Sequence, residues 1–115
     1  MSKPTYRIKD WSANFEKAQS RKCKKTYWVA LSNRHDGKSY RRIMAHPRQA
    51  EVFAAWVLMV QIASRCEPRG LLIDDNEGLD ADDMAFSTGL NKESFELALE
   101  VLCQKKIGWL ERIEQ

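Results

Sequence analysis

The sequence lacks any long hydrophobic run and contains little proline or glycine. Its longest stretch without a charged residue, Val52 to Ser64, has 13 residues, whereas a membrane-spanning helix needs about 18 or more. The first residues, MSKPTYRIKDW, carry charges where a signal peptide is apolar. Three prolines and five glycines in 115 residues are too few for a collagen-like or wholly disordered chain. The sequence therefore predicts a globular protein without a membrane span or signal peptide.

Cysteine is also scarce. Cys23, Cys66 and Cys103 are an odd number of thiols, widely spaced and without a CxxC pair. This pattern argues against a disulfide framework and predicts a cytoplasmic protein, because free thiols persist in a reducing compartment. A length of 115 residues fits one domain, residues 1–115, with one hydrophobic core.

Charge is distributed very unevenly along the chain. Residues 1–49 contain 13 lysines and arginines against three acidic residues, a net charge of +10. Residues 50–115 contain six basic and 13 acidic residues, a net charge of −7. A basic segment attracts nucleic acid or an acidic membrane surface. The alternative is that the basic half neutralises the acidic half across an internal interface.

The basic half is predicted to be irregular apart from short elements. Pro4 to Lys9 is expected to be extended, and Asp10 can cap a short helix that begins at Trp11. Tyr27–Leu31 is a β-prone run and predicts a strand. Residues 38–46 show no clear period and are expected to be irregular, with one turn of helix at most.

The acidic half shows stronger patterns. A helix apolar on nearly all sides is predicted from Pro47 until Pro68 and Gly70 end it, and it should be the central helix of the domain. The remaining predicted elements are a strand at Leu71–Ile73, a loop at 74–78, a helix from Asp80 to Thr88 ended by Gly89, a helix capped by Asn91, and a strand at Ile107–Ile113.

This order of elements resembles a winged helix-turn-helix. The segment LDADDMAFSTGLNKESFELALEVLCQKKIGWLERI is similar to the DNA-binding domains of phage replication initiators and replisome organisers, and the upstream stretch RIKDW…YWVALSN resembles phage-encoded, replication-associated proteins. The resemblance implies an α+β, mostly α fold: a three-helix core with a small β-sheet at 47–113, preceded by a basic helix and strand extension at 1–46. It implies that the partner is DNA.

One departure from the winged-helix pattern concerns the wing. A full wing needs a further strand after residue 113, and the sequence stops at Gln115. We expect either that Tyr27–Leu31 supplies the missing strand or that the chain is the front piece of a longer protein.

Two groups of residues are candidates for contact with nucleic acid. The third helix of a DNA-reading winged helix enters the major groove, but here its exposed face carries Glu93, Glu96 and Glu100, which oppose phosphates. The basic half is the stronger candidate, because Lys and Arg hold phosphates. Trp28, beside these cations, either stacks on an unpaired base or packs in the core. The predicted nucleic-acid-binding residues are Arg21, Lys22, Lys24, Lys25, Arg34, Lys38, Arg41, Arg42, Asn91, Lys92, Ser94 and Lys105.

No motif of catalysis or metal binding is recognisable. Asp74 and Asn76 match the first two ligand positions of a calcium loop, but Gly78 stands at the third. His35 and His46 have no partner at the spacing of a zinc site. The sequence therefore predicts a protein that is not an enzyme and that has no metal and no cofactor.

Three functions follow from these patterns. The first is a non-catalytic DNA-binding module in phage or prophage replication, acting in origin binding or replisome organisation on double- or single-stranded DNA. The alternative is a protein-interaction adaptor whose acidic third helix binds a basic partner, such as a replication protein. Self-association into a homodimer through an unpaired strand is the third.

Overall fold

The computed structural model describes residues 4–16, 28–31, 35 and 37–113. These residues form five helices and a four-stranded antiparallel sheet, and about half of them are helical. In chain order the elements are β1 (Thr5–Ile8), α1 (Trp11–Phe15), α2 (Lys38–Met44), α3 (Gln49–Arg65), β2 (Leu71–Asp74), β3 (Glu77–Gly78), α4 (Ala81–Thr88), α5 (Lys92–Leu102) and β4 (Leu110–Ile113).

The sheet has the order β3-β2-β1-β4, with β1 in an inner position. Tyr6 stands opposite Leu72 on one side and Arg112 on the other. The Ile8 amide continues the pairing by donating to the Gly70 carbonyl at 2.8 Å. The predicted extended segment at Pro4–Lys9 is thus confirmed, and the residues predicted to be an N-terminal extension supply an inner strand of the sheet.

The predicted strand at Tyr27–Leu31 is wrong for its described part. Residues 28–31 belong to no strand, and Tyr27 lies outside the described residues. In the described sheet β4 is an edge strand, and its neighbour β1 comes from the start of the chain. An α+β class is confirmed, whereas the winged helix-turn-helix stays a prediction.

The central helix α3 forms the middle of the core, as its apolar sequence predicts. Val52, Met59 and Val60 are completely buried. Across from α3 lies α5, whose Phe95 and Leu102 are also completely buried. Both helices therefore bury apolar side chains in the same core. Burial of apolar surface is the main source of stability in a domain of this size.

The helix boundaries in the acidic half follow local capping rules. Asp80 and Asp83 form a capping box, in which the Asp80 carboxylate accepts from the Asp83 amide and the Asp83 carboxylate accepts from the Asp80 amide. Gly89 ends α4 with φ of 88°, a conformation that favours glycine. The Asn91 side chain accepts from the Ser94 amide at 2.8 Å and starts α5.

Replacing Asp80 by alanine should lower the free energy of unfolding by about 1 kcal/mol, because the Asp83 amide loses its acceptor. Urea denaturation followed by circular dichroism measures the change. Asp80→Asn keeps an oxygen acceptor and is the matched control, expected to stay within a few tenths of a kcal/mol of the wild type. An equal loss in both variants would show that the charge of Asp80 matters and its capping bond does not.

Two further predictions about local structure need correction. Residues 38–44, expected to be irregular with one turn of helix at most, form the two-turn helix α2, which is anchored by the completely buried Ile43. The predicted loop at 74–78 contains a hairpin turn and β3. Asp75 and Asn76 have φ of 51° and 66°, the left-handed pair typical of a two-residue hairpin turn. A Cβ at Gly78 would lie 2.2 Å from the Pro4 carbonyl oxygen, so only glycine fits there.

Candidate nucleic-acid interface

The structure describes seven of the twelve residues predicted to contact nucleic acid. Four of these seven, Lys38, Arg41, Arg42 and Lys105, lie on α2 or just after α5. The other three are Asn91, Lys92 and Ser94, at the start of α5. Arg21, Lys22, Lys24, Lys25 and Arg34 lie outside the described residues.

Helix α2 is bonded directly to the turn that follows α5. The Ser39 hydroxyl donates to the Ile107 carbonyl at 2.7 Å, and the Arg42 guanidinium donates to the Lys106 carbonyl at 2.5 Å. These two bonds join residues 68 and 64 positions apart in the chain. They bring the cations of α2 to the same part of the surface as Lys105 and Lys106.

We call the exposed cations at this junction the basic surface: Lys38, Arg41, Arg42, Lys105 and Lys106. Arg42 uses one N–H in its bond to Lys106, and a guanidinium has five N–H donors, so the others can reach a ligand. Arginine and lysine side chains on one exposed surface are suited to phosphate groups, which arginine can bind through two parallel hydrogen bonds.

The three predicted residues at the start of α5 make bonds within the protein. Ser94 is completely buried, and its hydroxyl donates to Asn91 Oδ1 at 2.8 Å. Lys92 Nζ lies 3.3 Å from an Asp82 oxygen and 3.8 Å from a Glu96 oxygen. The hydrogen bond to the Asp82 carboxylate raises the pKa of Lys92 most, and the charges of Asp82 and then Glu96 raise it further. Lys92 is thus engaged by carboxylates, and Ser94 is not accessible to a ligand.

The exposed face of α5 is acidic. Glu93, Glu96 and Glu100 are all exposed, at the spacing of one side of a helix. Carboxylates at these positions repel a phosphate backbone. The face that would enter the major groove in a winged helix is therefore electrostatically unsuited to that role.

A cleft of about 640 Å³ lies beside the basic surface and was not predicted from the sequence. Its lining includes five aromatic residues, which we call the aromatic cleft: Phe15, Tyr40, Phe53, Trp56 and Trp109. The ring centroids of Tyr40 and Phe53 are 6.0 Å apart, and those of Trp56 and Trp109 are 4.9 Å apart. Lys9 and Lys38, both exposed, also line it. One sequence signal was available, because Phe53 and Trp56 are three residues apart on α3 and so share a face.

The exposure of Trp28 argues against packing in the core and favours stacking on an unpaired base. Trp28 is 75% exposed and does not pack into the core of the described residues. Phe86 on α4 is also exposed, at 94%, which is unusual for a large aromatic side chain.

The described residues were also compared with the requirements of a reactive cysteine, a metal site and a membrane span. Burial raises the pKa of the Cys66 and Cys103 thiols, which is opposite to the shift that activates a cysteine nucleophile. Across the described ranges, no group of three or more His, Cys, Asp or Glu side chains is placed to hold a metal ion. Of the helices in those ranges, none is both long and apolar enough to span a membrane.

Comparisons with protein-family models, with curated proteins and with solved structures find no match for this chain.

Proposed function

We propose that this chain is a non-enzymatic DNA-binding module and that it holds DNA through the basic surface. The observation that carries the proposal is the pair of hydrogen bonds from Ser39 and Arg42 to the turn after α5. They bring α2 and the turn after α5 together, so cations that are far apart in the sequence lie on neighbouring elements. The site lies in a chain whose first 49 residues have a net charge of +10.

The acidic face of α5 determines which side of the domain meets DNA. A phosphate backbone is attracted to the basic surface and repelled by Glu93, Glu96 and Glu100. We therefore place α2 and the turn after α5 against DNA, and we place the exposed face of α5 away from it. The basic half gives affinity without sequence information, since contacts to phosphates position a protein and do not read bases.

The proposed biological setting is phage or prophage DNA replication, in origin binding or replisome organisation. It depends on the resemblance of the segment from Leu79 to Ile113 to the DNA-binding domains of replication initiators and replisome organisers. Helix α4, a short turn at Gly89 and helix α5 occur in the described residues in the order that this resemblance implies.

Replacing Lys38, Arg41 and Lys105 together by alanine should weaken DNA binding and flatten its dependence on salt. Each lost phosphate contact reduces the slope of log K against log salt by about 0.9 for duplex DNA, so the triple variant should lose up to about 2.7. Fluorescence anisotropy with a labelled random duplex between about 50 and 200 mM salt measures the slope. Arg42 is left in place because its bond to Lys106 positions α2.

A control variant with the same change in net charge is Arg7→Ala, Arg48→Ala and Arg65→Ala. Arg7 pairs with Glu111 and Arg48 with Glu51, so both cations are already balanced locally. The control should retain a slope close to that of the wild type. A triple Lys38, Arg41 and Lys105 variant that binds like the wild type, or a control that weakens binding equally, would refute the proposed surface.

The second candidate function is a protein-interaction adaptor, favoured by the exposed carboxylates of α5 and by Phe86 on the neighbouring α4. Its partner would carry a basic surface. Binding of a purified partner that is lost in the Glu93→Lys, Glu96→Lys, Glu100→Lys variant would support it. Tight DNA binding that is unaffected by these reversals, without any such partner, would eliminate it.

A further inference from the structure

We propose that the aromatic cleft binds an unpaired base of single-stranded DNA, whose backbone continues onto the basic surface. This inference rests on the proposed function, and it adds that the protein prefers a single strand to a duplex. Bases of a duplex are stacked and paired, so their faces are not available to a cleft in a protein.

The cleft is lined by aromatic rings that contact one another in pairs. Trp56, one of the lining residues, is only 7% exposed. Tyr40, Phe53 and Trp109 are half-buried, and each lines the cleft. The Tyr40 and Phe53 rings meet edge to face at an interplanar angle of 88°. Aromatic side chains that keep exposed ring surface inside a concave site are the usual platform for unpaired bases.

The polar lining includes groups that can bond the edge of a base. Asp10 lies in the cleft and repels an anion, but its carboxylate accepts hydrogen bonds, as from the amino group of a base. Asn14, also in the lining, offers both donors and acceptors for the edge of a base. The volume of about 640 Å³ is within the range of pockets that hold small organic ligands, about 300–1,000 Å³.

The cleft and the basic surface share helix α2. Lys38 lines the cleft and also belongs to the basic surface, and Tyr40 lies two residues further on. Lys9 contributes a second cation to the lining. A polymer that alternates anionic phosphates with flat, apolar rings matches this combination of charge and aromatic surface, which is why we assign the cleft to single-stranded DNA rather than to a peptide.

The first test compares oligonucleotides on the intact wild-type chain. Anisotropy is measured with a labelled single-stranded 20-mer, with a blunt duplex of equal length, and with a single-stranded oligomer of abasic sugars. The 20-mer should bind more tightly than the abasic oligomer, which has the same phosphates and no bases, by about 5- to 150-fold for one stacked base. Equal affinity for the 20-mer and the abasic oligomer would overturn the inference.

The second test removes the stacking surface. The Tyr40→Leu, Phe53→Leu variant keeps apolar side chains at both half-buried positions. It should lose single-strand affinity by about 5-fold or more and leave duplex affinity unchanged. Phe86→Leu removes an aromatic residue outside the cleft and is the matched control, expected to bind like the wild type. Unchanged single-strand binding in the double variant would overturn the inference.

A third measurement needs no variant and therefore does not depend on the folding of one. A single-stranded oligonucleotide containing 5-iodouracil is cross-linked to the wild-type chain by light, and the modified peptides are mapped by mass spectrometry. Cross-links should occur at Tyr40, Phe53 or Trp109. Cross-links confined to Trp28 or Phe86 would overturn the inference.

The outcomes separate this inference from the proposed function. Salt-dependent binding that is equal for single strands, abasic oligomers and duplexes would refute the aromatic site and leave the basic surface supported. Absence of salt-dependent binding to any of them would refute both.

Discussion

Replacing Glu16 by leucine is expected to lower the free energy of unfolding by about 3–5 kcal/mol. The Glu16 side chain is 7% exposed, and one of its oxygens lies 3.1 Å from the Nε of Arg69, whose side chain is 18% exposed. The same carboxylate accepts from the Trp11 indole N–H at 2.5 Å. In the variant, the Arg69 guanidinium and the Trp11 indole N–H both lose this acceptor and remain largely shielded from water. The resulting desolvation penalty is the reason for the lower free energy of unfolding.

The double variant Glu16→Leu, Arg69→Met distinguishes this explanation from simple loss of packing. It removes both charges and keeps side chains of similar volume, and such replacements of buried ion pairs are often neutral or stabilising. We expect it to be more stable than Glu16→Leu alone by about 2 kcal/mol or more, as part of the 3–5 kcal/mol penalty is recovered. Urea denaturation of the wild type and the two variants measures the difference. A double variant that is less stable than the single one would contradict the explanation.

The ion pair also connects stability with the proposed site. Glu16 follows α1 directly, and Arg69 precedes β2, so the pair fixes α1 against the sheet. The Trp11 ring of α1 stacks on Phe15 at 4.8 Å, and Phe15 lies 6.2 Å from Trp56. One wall of the aromatic cleft is therefore positioned by this buried pair.

The elements that the sequence predicted correctly depend on interactions between near neighbours. The boundaries of α4 and α5 follow from Asp80, Gly89 and Asn91, and each of these acts within three or four residues of itself. The central helix α3 was predicted because only Glu51 and Gln61 are polar between Ala50 and Ala63. Local signals of this kind are visible in a linear sequence.

The errors arise where distant residues decide the structure. Residues 27–31 have the composition of a strand, but the inner position of the sheet is taken by β1, whose two neighbours come from residues 71–74 and 110–113. Helix α2 lies in a highly charged segment with a weak period, and it is held by Ile43 and by bonds to residues 106 and 107. Contacts between residues so far apart in the chain leave no local pattern in the sequence.

The candidate site, too, was predicted only where its signal is local in the sequence. The cations of α2 were predicted from charge alone, because a net charge of +10 is visible in the composition. The aromatic cleft was not, since its rings come from α1, α2, α3 and the turn before β4 and meet only in the folded chain. The acidic face of α5 was predicted, and the exposure of all three of its glutamates agrees with it.

Replacing Ile8 by alanine is expected to lower the free energy of unfolding by about 2–5 kcal/mol. Ile8 is 1% exposed, in an inner strand, where it faces Leu110 across the pairing with β4. Truncation removes buried apolar surface and leaves a cavity in the shared core. The matched control is Leu31→Ala in the segment wrongly predicted to be a strand: Leu31 is 43% exposed, and its truncation should cost about 0.5 kcal/mol or less.

The Ile8 variant also tests whether the basic and acidic halves form one folding unit. If β1 is integral to the sheet, tryptophan fluorescence and far-ultraviolet circular dichroism should report a single, coincident urea transition at a lower midpoint with an unchanged slope. A separate early transition, with the helical signal retained, would mean that residues 5–8 dock on a core that is stable without them. A larger fall in the free energy of unfolding for Leu31→Ala than for Ile8→Ala would contradict this sheet. It would favour the strand at residues 27–31 and the winged-helix arrangement expected from the sequence.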